Sequence, residues 1–156
     1  QIILHWFVAG LVFYQLIINT EIKNWYKHHE TDGNTFPGSF DAWVHIIIGV
    51  AIFFFMSYRV YLRVKTGTPS LPKSLSLPLR TLAYLSHYSL YLLLFIIPTT
   101  GFLSLFFNIP LLSNAHSSFA YILVFLALFH ICAAIFHEGV LGNKILHKMI
   151  NPEKFN

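Results

Sequence analysis

The segment from His116 to His137, HSSFAYILVFLALFHICAAIFH, is an apolar stretch of helical length that carries three histidines. Fourteen residues separate His116 from His130, which is nearly four helical turns, so both imidazoles leave the same face about 21 Å apart along the axis. His137 continues this face two turns further on. Ionisable side chains inside a bilayer are costly, and they commonly mark functional sites. The segment therefore predicts a membrane-spanning helix with a functional histidine near each end.

The composition of the whole chain points to a membrane protein. Of its 156 residues, 56% are hydrophobic and only 10% are charged, whereas about 25% of the residues in soluble domains are charged. A membrane-spanning helix needs about 20 mostly apolar residues, and lipid tolerates no exposed irregular backbone. Suitable stretches lie at 2–20, 42–62, 82–107 and 117–137. We therefore predict an all-α membrane protein in which residues 1–156 form a single four-transmembrane-helix bundle.

The distribution of basic residues predicts how this bundle is oriented. The region joining the second and third spans contains five basic residues and no acid, and the C-terminal tail adds three more: Arg59, Arg63, Lys65, Lys73 and Arg80, then Lys144, Lys148 and Lys154. Because short cytoplasmic loops are enriched in lysine and arginine, both termini are expected in the cytoplasm. The net charge of +4 is explained by this topology and does not imply a nucleic-acid partner.

Three further expectations concern the connections and the ends of the chain. Residues 66–80 contain three prolines, which predicts an irregular connection of low helical content, and residues 108–115 are expected to form a short outer turn. The single cysteine, Cys132, excludes an internal disulfide and is expected to be a small buried packing residue. Because the chain opens on Gln1, we also expect a short N-terminal segment to be missing.

The histidines of the spans fall at two depths. His45 and His116 belong to the outer side; His5, His87 and His130 belong to the inner side, and His137 lies closer still to the cytoplasm. A haem with two imidazole ligands needs one neutral histidine from each of two facing helices. Helical bundles build cofactor sites from such inward-facing side chains, and each depth supplies at least two histidines. The pattern therefore favours one haem near each side of the membrane.

Other uses of these histidines fit the sequence less well. A zinc or di-iron site would need a third histidine or carboxylates at one level, and no Asp or Glu lies well inside any predicted span. A histidine-lined proton or solute transporter is the non-redox alternative. It would not explain why paired histidines occur at each depth on separate helices.

The same features resemble those of a known family over nearly the whole chain. They are His5-Trp6 in the first span, His45 with Gly49, Arg59 and Arg63 in the second, His87 with Pro98 and Gly101 in the third, and His116, His130 and His137 in the fourth. This layout resembles the bacterial di-haem cytochrome b561 family, four-helix membrane proteins that include the superoxide oxidase. The resemblance implies two haem b groups, the outer one held by His45 and His116 and the inner one by His5 and His130. Bundle geometry alone would equally permit His87 in place of His5.

The resemblance also implies secondary roles near the inner side. His87, His137 and Arg80 are candidates for a ubiquinone site, where an imidazole can exchange the proton of a quinol. Arg59 and Arg63 are candidates for pairing with haem propionates.

These roles suggest a cytochrome of the bacterial cytoplasmic membrane that transfers electrons between the quinone pool and a periplasmic-side redox partner or superoxide. A superoxide oxidase would benefit from a positive outer surface, but the connection 21–41 carries four acids against two lysines. Superoxide is therefore the less favoured outer substrate. A second redox hypothesis makes the chain the haem-bearing membrane anchor of a larger oxidoreductase, within an oligomer or complex.

Overall fold

All regular elements that the structure describes are α-helices. The computed structural model describes residues 1–17, 40–67, 76–140, 142 and 145–150. Within these ranges the helices are α1 (Ile2–Ile17), α2 (Phe40–Thr66), α3 (Leu77–Phe107), α4 (Pro110–Gly139) and the short α5 (Ile145–Ile150). Most of the predicted connections 21–41 and 66–80 lie outside the described residues, as do residues 18–20 of the first predicted span.

Three of the helices are long and apolar enough to cross a membrane. These are α2, α3 and α4. Helix α1 is also apolar, but its described part is shorter, at 16 residues. Large apolar side chains cover the outer faces of the helices, for example Phe54 at 65% and Phe125 at 69% exposure, as expected of a surface that contacts lipid. The prediction of an all-helical membrane protein is confirmed, while the four-span count and the cytoplasmic termini stay predictions.

Neighbouring helices in the chain are neighbours in space. Helix α1 packs on α2, α2 on α3, α3 on α4, and the short α5 on α4. A buried cluster of Val8, Ile52 and Met56 joins α1 to α2. Side chains of α3, including Tyr91 and Phe95, pack against this cluster. The first three helices therefore share one core.

A very tight turn joins α3 to α4. Asn108 adopts a left-handed conformation, with φ 51° and ψ 51°, and its backbone N–H donates to the Ser104 carbonyl. Asparagine tolerates this conformation at helix C-termini. Only Ile109 follows before α4 begins at Pro110, so the predicted turn over 108–115 is wrong for all but its first residues. Proline is well suited to the first turn of a helix, where its missing N–H would have no partner.

The start of α3 shows the same effect of proline. The helix begins at Leu77, with Pro78 in its first turn. The last four residues of the connection predicted over 66–80 are therefore helical, and Arg80 belongs to the helix. The prolines of this region predict an irregular backbone, but Pro78 lies in the first turn, where proline does not disrupt a helix.

The predicted burial of Cys132 is also wrong. Its side chain is exposed on the outside of α4. Two residues along a helix correspond to a rotation of about 200°, so Cys132 faces away from the half-buried His130. The thiol therefore lies on the face of α4 that the other described helices do not cover.

The C-terminal helix α5 is tied to the start and the end of the bundle. Glu138 accepts hydrogen bonds from the backbone N–H groups of Leu146 and His147, at 3.0 and 3.4 Å. The indole N–H of Trp6 donates to the Met149 carbonyl at 2.9 Å. These bonds hold α5 beside the first turns of α1, at the same end as His5.

The shared core predicts the effect of one truncation. Met56 is 1% exposed, and replacing it with alanine should remove buried contacts and leave a cavity. We expect Met56→Ala to lower the free energy of unfolding by about 2–5 kcal/mol, measured by thermal or denaturant unfolding in detergent. Ile47→Ala is the matched control, because Ile47 is on the same helix and 62% exposed. Equal losses of stability in both variants would contradict this core.

Candidate functional site

Two histidines from different helices face each other near the starts of α2 and α4. The ring centroids of His45 and His116 are 6.0 Å apart, and both side chains are half-buried. A cavity of about 250 Å³ lies beside them, and the described residues that line it include Gly49 and Gly101 but no charged side chain. We call these two histidines, with Gly49, Gly101 and Gln15, the two-histidine site.

A hydrogen bond to the backbone of α3 holds the His116 ring against that helix. Its Nδ1 lies 2.8 Å from the Ile97 carbonyl, and because a carbonyl only accepts, Nδ1 donates. The proton therefore resides on Nδ1, and Nε2 keeps a lone pair for a metal, the usual arrangement of a ligating histidine. A Cβ atom at Gly101 would lie 2.8 Å from His116 Nδ1 and 2.9 Å from Cε1. Only glycine at this position leaves room for the ring.

Gln15 belongs to the same site and was not identified from the sequence. Its Nε2 donates to the His45 carbonyl at 2.8 Å and lies 3.8 Å from the position of a Cβ at Gly49. Within the described residues, Gln15 Oε1 and His45 Nδ1 are buried without a hydrogen-bond partner. In the sequence, Gln15 stands out only as a single amide side chain in an apolar span. Its partner His45 lies 30 residues away on another helix.

Three histidines meet at the opposite end of the bundle. The ring centroid of His130 is 6.5 Å from that of His5 and 5.1 Å from that of His87. All three are half-buried. Arg59 Nη1 lies 2.8 Å from His5 Nδ1. We call these three histidines and Arg59 the three-histidine site.

The hydrogen bonds of His5 and His87 distinguish the two residues. A guanidinium only donates, so His5 Nδ1 accepts from Arg59 and its proton is on Nε2. A metal bond through Nε2 of His5 therefore requires Arg59 to leave this hydrogen bond. His87 instead donates from Nδ1 to the Ala83 carbonyl at 2.6 Å, which leaves its Nε2 unprotonated.

The second predicted arginine contacts a tyrosine. Arg63 Nη1 donates to the Tyr91 hydroxyl at 3.0 Å, and the Arg63 guanidinium carbon is 5.3 Å from the Tyr91 ring centroid. The guanidinium carbon of Arg59 is 5.8 Å from the same centroid. Tyr91 was not identified from the sequence, because one tyrosine among eight gives no indication of its partners.

The remaining candidates lie further from the three histidines. Arg80 is in the first turns of α3, seven residues before His87, and its Nε is a buried atom without a hydrogen-bond partner in the described part of the chain. His137 lies seven residues beyond His130 on α4, with its ring 6.3 Å from that of Phe136. Seven residues span about 10 Å of helix. The structure therefore places Arg80 and His137 about two turns from the three-histidine site.

A groove of about 530 Å³ lies between α2 and α3 on the side of Tyr91. It is lined by Arg63, by three tyrosines and by apolar side chains: Tyr84, Tyr88 and Tyr91, then Val60, Val64, Leu92 and Phe95, with Gly67 at its edge. The groove thus combines one cation and several hydroxyl groups with an apolar wall.

Two of the three histidine pairs have ring separations that are compatible with binding one iron between them. A metal–imidazole bond is about 2 Å long, and each ring adds about 1 Å from nitrogen to centroid, so two imidazoles on one iron have centroids about 6 Å apart. The separations of 6.0 Å for His45 and His116 and 6.5 Å for His5 and His130 fit this value. The 5.1 Å between His87 and His130 is shorter. Among the described residues, no group of three or more His, Cys, Asp or Glu could hold a metal ion.

Comparison with known proteins agrees with this chemistry. Residues 1–152 match the family model described as prokaryotic cytochrome b561. Cytochrome b562 of Cereibacter sphaeroides is similar at 28% identity over 152 residues, which cover 97% of this chain and 93% of that relative. The chain therefore belongs to the prokaryotic cytochrome b561 family, and it is a membrane protein that carries haem b and transfers electrons.

Proposed function

We propose that this chain is a di-haem b-type cytochrome of the bacterial cytoplasmic membrane that passes electrons between the ubiquinone pool and a redox partner on the periplasmic side. The observation that carries the proposal is the presence of two imidazole pairs with centroid separations of 6.0 and 6.5 Å. Each pair joins α4 to another helix. His116 and His130 are fourteen residues apart, so the two pairs lie about 21 Å apart along α4.

Four histidines would hold the two haems in this scheme. His45 and His116 would hold one haem, and His5 and His130 the other. Each haem, when bound, supplies a centre that gains or loses one electron. The Ile97 carbonyl fixes the tautomer of His116, and Gly101 gives its ring space against α3. At the other site Arg59 would leave His5 Nδ1, which would make its guanidinium available to a haem propionate. Arg63 contacts the same tyrosine as Arg59, Tyr91, and would bind a propionate of the same haem.

The predicted topology assigns a side of the membrane to each site. Arg59, Arg63 and Lys65 end α2 on the same side as the three-histidine site, and basic residues favour the cytoplasmic side. The two-histidine site would then lie toward the periplasm. A periplasmic redox protein suits the acidic connection 21–41 better than superoxide does.

Quinone chemistry is proposed for the cytoplasmic side. Reduction of a quinone consumes protons, and oxidation of a quinol releases them, so a nearby imidazole must accept or give protons. His87 is the nearest candidate, because its ring is 5.1 Å from that of His130 and it is not needed as a ligand in this scheme. The groove beside Tyr91 has the apolar wall and hydroxyl groups that a quinone ring would need. Arg80 and His137 would act from two turns away.

The haem content of the purified protein tests the proposal. A pyridine-haemochrome assay and a reduced-minus-oxidised spectrum should give two haem b per chain for the wild type. His116→Ala and His130→Ala should each give about one, because each removes one ligand of a different pair. Circular dichroism of the variants controls for folding. One haem in the wild type, or none, would refute the di-haem scheme.

The inner ligand is decided by comparing two single variants. We expect His5→Ala to retain only one haem and His87→Ala to retain both, because only His5 and His130 have the separation of a shared iron. The spectral assay above measures this directly. The reverse result would assign His87 as the ligand and would indicate that His5 keeps its hydrogen bond with Arg59.

The space beside His116 predicts the effect of one added methyl group. Gly101→Ala places a Cβ within 3 Å of the His116 ring, which must turn away from α3 and lose its bond to the Ile97 carbonyl. We expect the haem of the two-histidine site to be lost or weakly retained, measured as haem per chain after detergent washing. Gly139→Ala is the control on α4, because a Cβ there meets no atom within 4 Å. Full retention in Gly101→Ala would contradict the assigned packing.

A further inference from the structure

Tyr91 contacts both of the candidate propionate-binding arginines. It lies four residues after His87 on α3 and is half-buried. Arg63 bonds to its hydroxyl at 3.0 Å and lies 5.3 Å from its ring centroid. Arg59 lies 5.8 Å from that centroid and 2.8 Å from His5 Nδ1. The tyrosine thus connects α3 to both arginines on α2, beside the three-histidine site.

Two arginines in this position need something to hold them. Each has a long flexible side chain, and near the end of a membrane helix such chains extend toward water and lipid headgroups. The two guanidinium groups also repel each other. The described residues contain only two acids: Asp41, in the first turn of α2 at the far end, and Glu138, which accepts from the backbone of α5. In the part of the chain that the structure describes, neither carboxylate contacts these arginines.

Arg59 has a hydrogen bond to His5 Nδ1, which haem binding would break. The aromatic ring and the hydroxyl of Tyr91 supply a further attraction that does not depend on His5. A cation within about 6 Å of an aromatic centroid is attracted to the ring face, more strongly where water is excluded. Both arginines meet this distance. The hydroxyl gives Arg63 a hydrogen bond in addition, so the two arginines depend on Tyr91 to different extents.

We propose that Tyr91 is a positioning residue that keeps Arg59 and Arg63 beside the three-histidine site and thereby raises the reduction potential of the haem there. This inference rests on the proposed function, because it requires a haem on His130. A haem b iron with two neutral imidazoles carries one more positive charge when oxidised than when reduced. Nearby guanidinium charges therefore disfavour the oxidised form, and the effect is largest where the dielectric constant is low.

The two parts of the side chain can be separated by mutation. Tyr91→Phe keeps the ring and removes only the hydrogen bond to Arg63. Tyr91→Leu removes the ring as well and releases both arginines. Tyr58→Leu is the matched control, because Tyr58 is on α2 next to Arg59 in sequence but is 54% exposed and stacks on Tyr61.

The experiment is a spectroelectrochemical titration of the purified haem-loaded proteins. His130→Ala identifies which of the two wild-type potentials belongs to the three-histidine site. We expect this potential to shift downward in Tyr91→Leu and by a smaller amount in Tyr91→Phe. The other potential should not change in either variant, and Tyr58→Leu should match the wild type in both. Unchanged potentials in a Tyr91→Leu protein that holds two haems would overturn the proposal.

Two further measurements separate positioning from a general structural role. In an Arg63→Gln background, Tyr91→Phe should give no additional shift, because the group that its hydroxyl holds is already gone. Full additivity of the two shifts would overturn the coupling. If Tyr91→Leu does not assemble, Tyr91→Phe alone decides, since a potential equal to that of the wild type refutes the proposal. Failure of the proposed function is distinct, because the wild type would then lack two haems.

Discussion

The arrangement of the helices brings imidazole rings from different helices close together, edge to face, inside an apolar bundle. Helix α4 carries one member of each pair, and its two histidines point in nearly the same direction because fourteen residues make almost four turns. Their partners come from different helices. His116 pairs with His45 of α2, whereas His130 lies beside His5 of α1 and His87 of α3. A rotation of α4 about its axis would therefore break both groups at once.

Close contact between α3 and α4 makes this arrangement possible. The turn between them consists of only Asn108 and Ile109, so the two helices begin to pack where the turn ends. Next to it, Gly101 lets the His116 ring reach the α3 backbone and bond to the Ile97 carbonyl. Because Gly101 has no side chain, the Ile97 carbonyl can fix both the position of the His116 ring and its protonated nitrogen. The opposite end has no equivalent glycine contact among its described residues. There Arg59 contacts His5, and Tyr91 contacts both Arg59 and Arg63.

The sequence predicted what depends on position along a helix. Helical content, membrane character and the common depth of His45 with His116 follow from hydropathy and from the helical repeat, which are properties of a single segment. The starts of α3 and α4 were misplaced because Pro78 and Pro110 look like helix breakers until they are known to lie in a first turn. The burial of Cys132 was wrong because it depends on how α4 is rotated against its neighbours.

The side chains that surround the histidines were harder to predict than the histidines themselves. Gln15 contacts the backbone of His45, and Tyr91 contacts Arg59 and Arg63. Each of these contacts joins two helices and is separated by about thirty residues in the chain. A periodic pattern within one helix cannot predict a partner on another helix. In the sequence, Gly101 is only one of the residues that carry the family resemblance, and its role becomes evident only with the position of the His116 ring.

The two ends of the bundle differ most in their charge. Among the described residues, the lining of the cavity at the two-histidine site contains no charged side chain, whereas Arg59 contacts a histidine at the other end and Arg63 lies close by. Under the proposed function, the haem beside the arginines would be the easier one to reduce, since positive charge disfavours the oxidised iron. Electrons that enter at the two-histidine site would then move toward the arginines without an external driving force. Under the proposed function, the distribution of charge along the bundle would therefore favour transfer toward the quinone side.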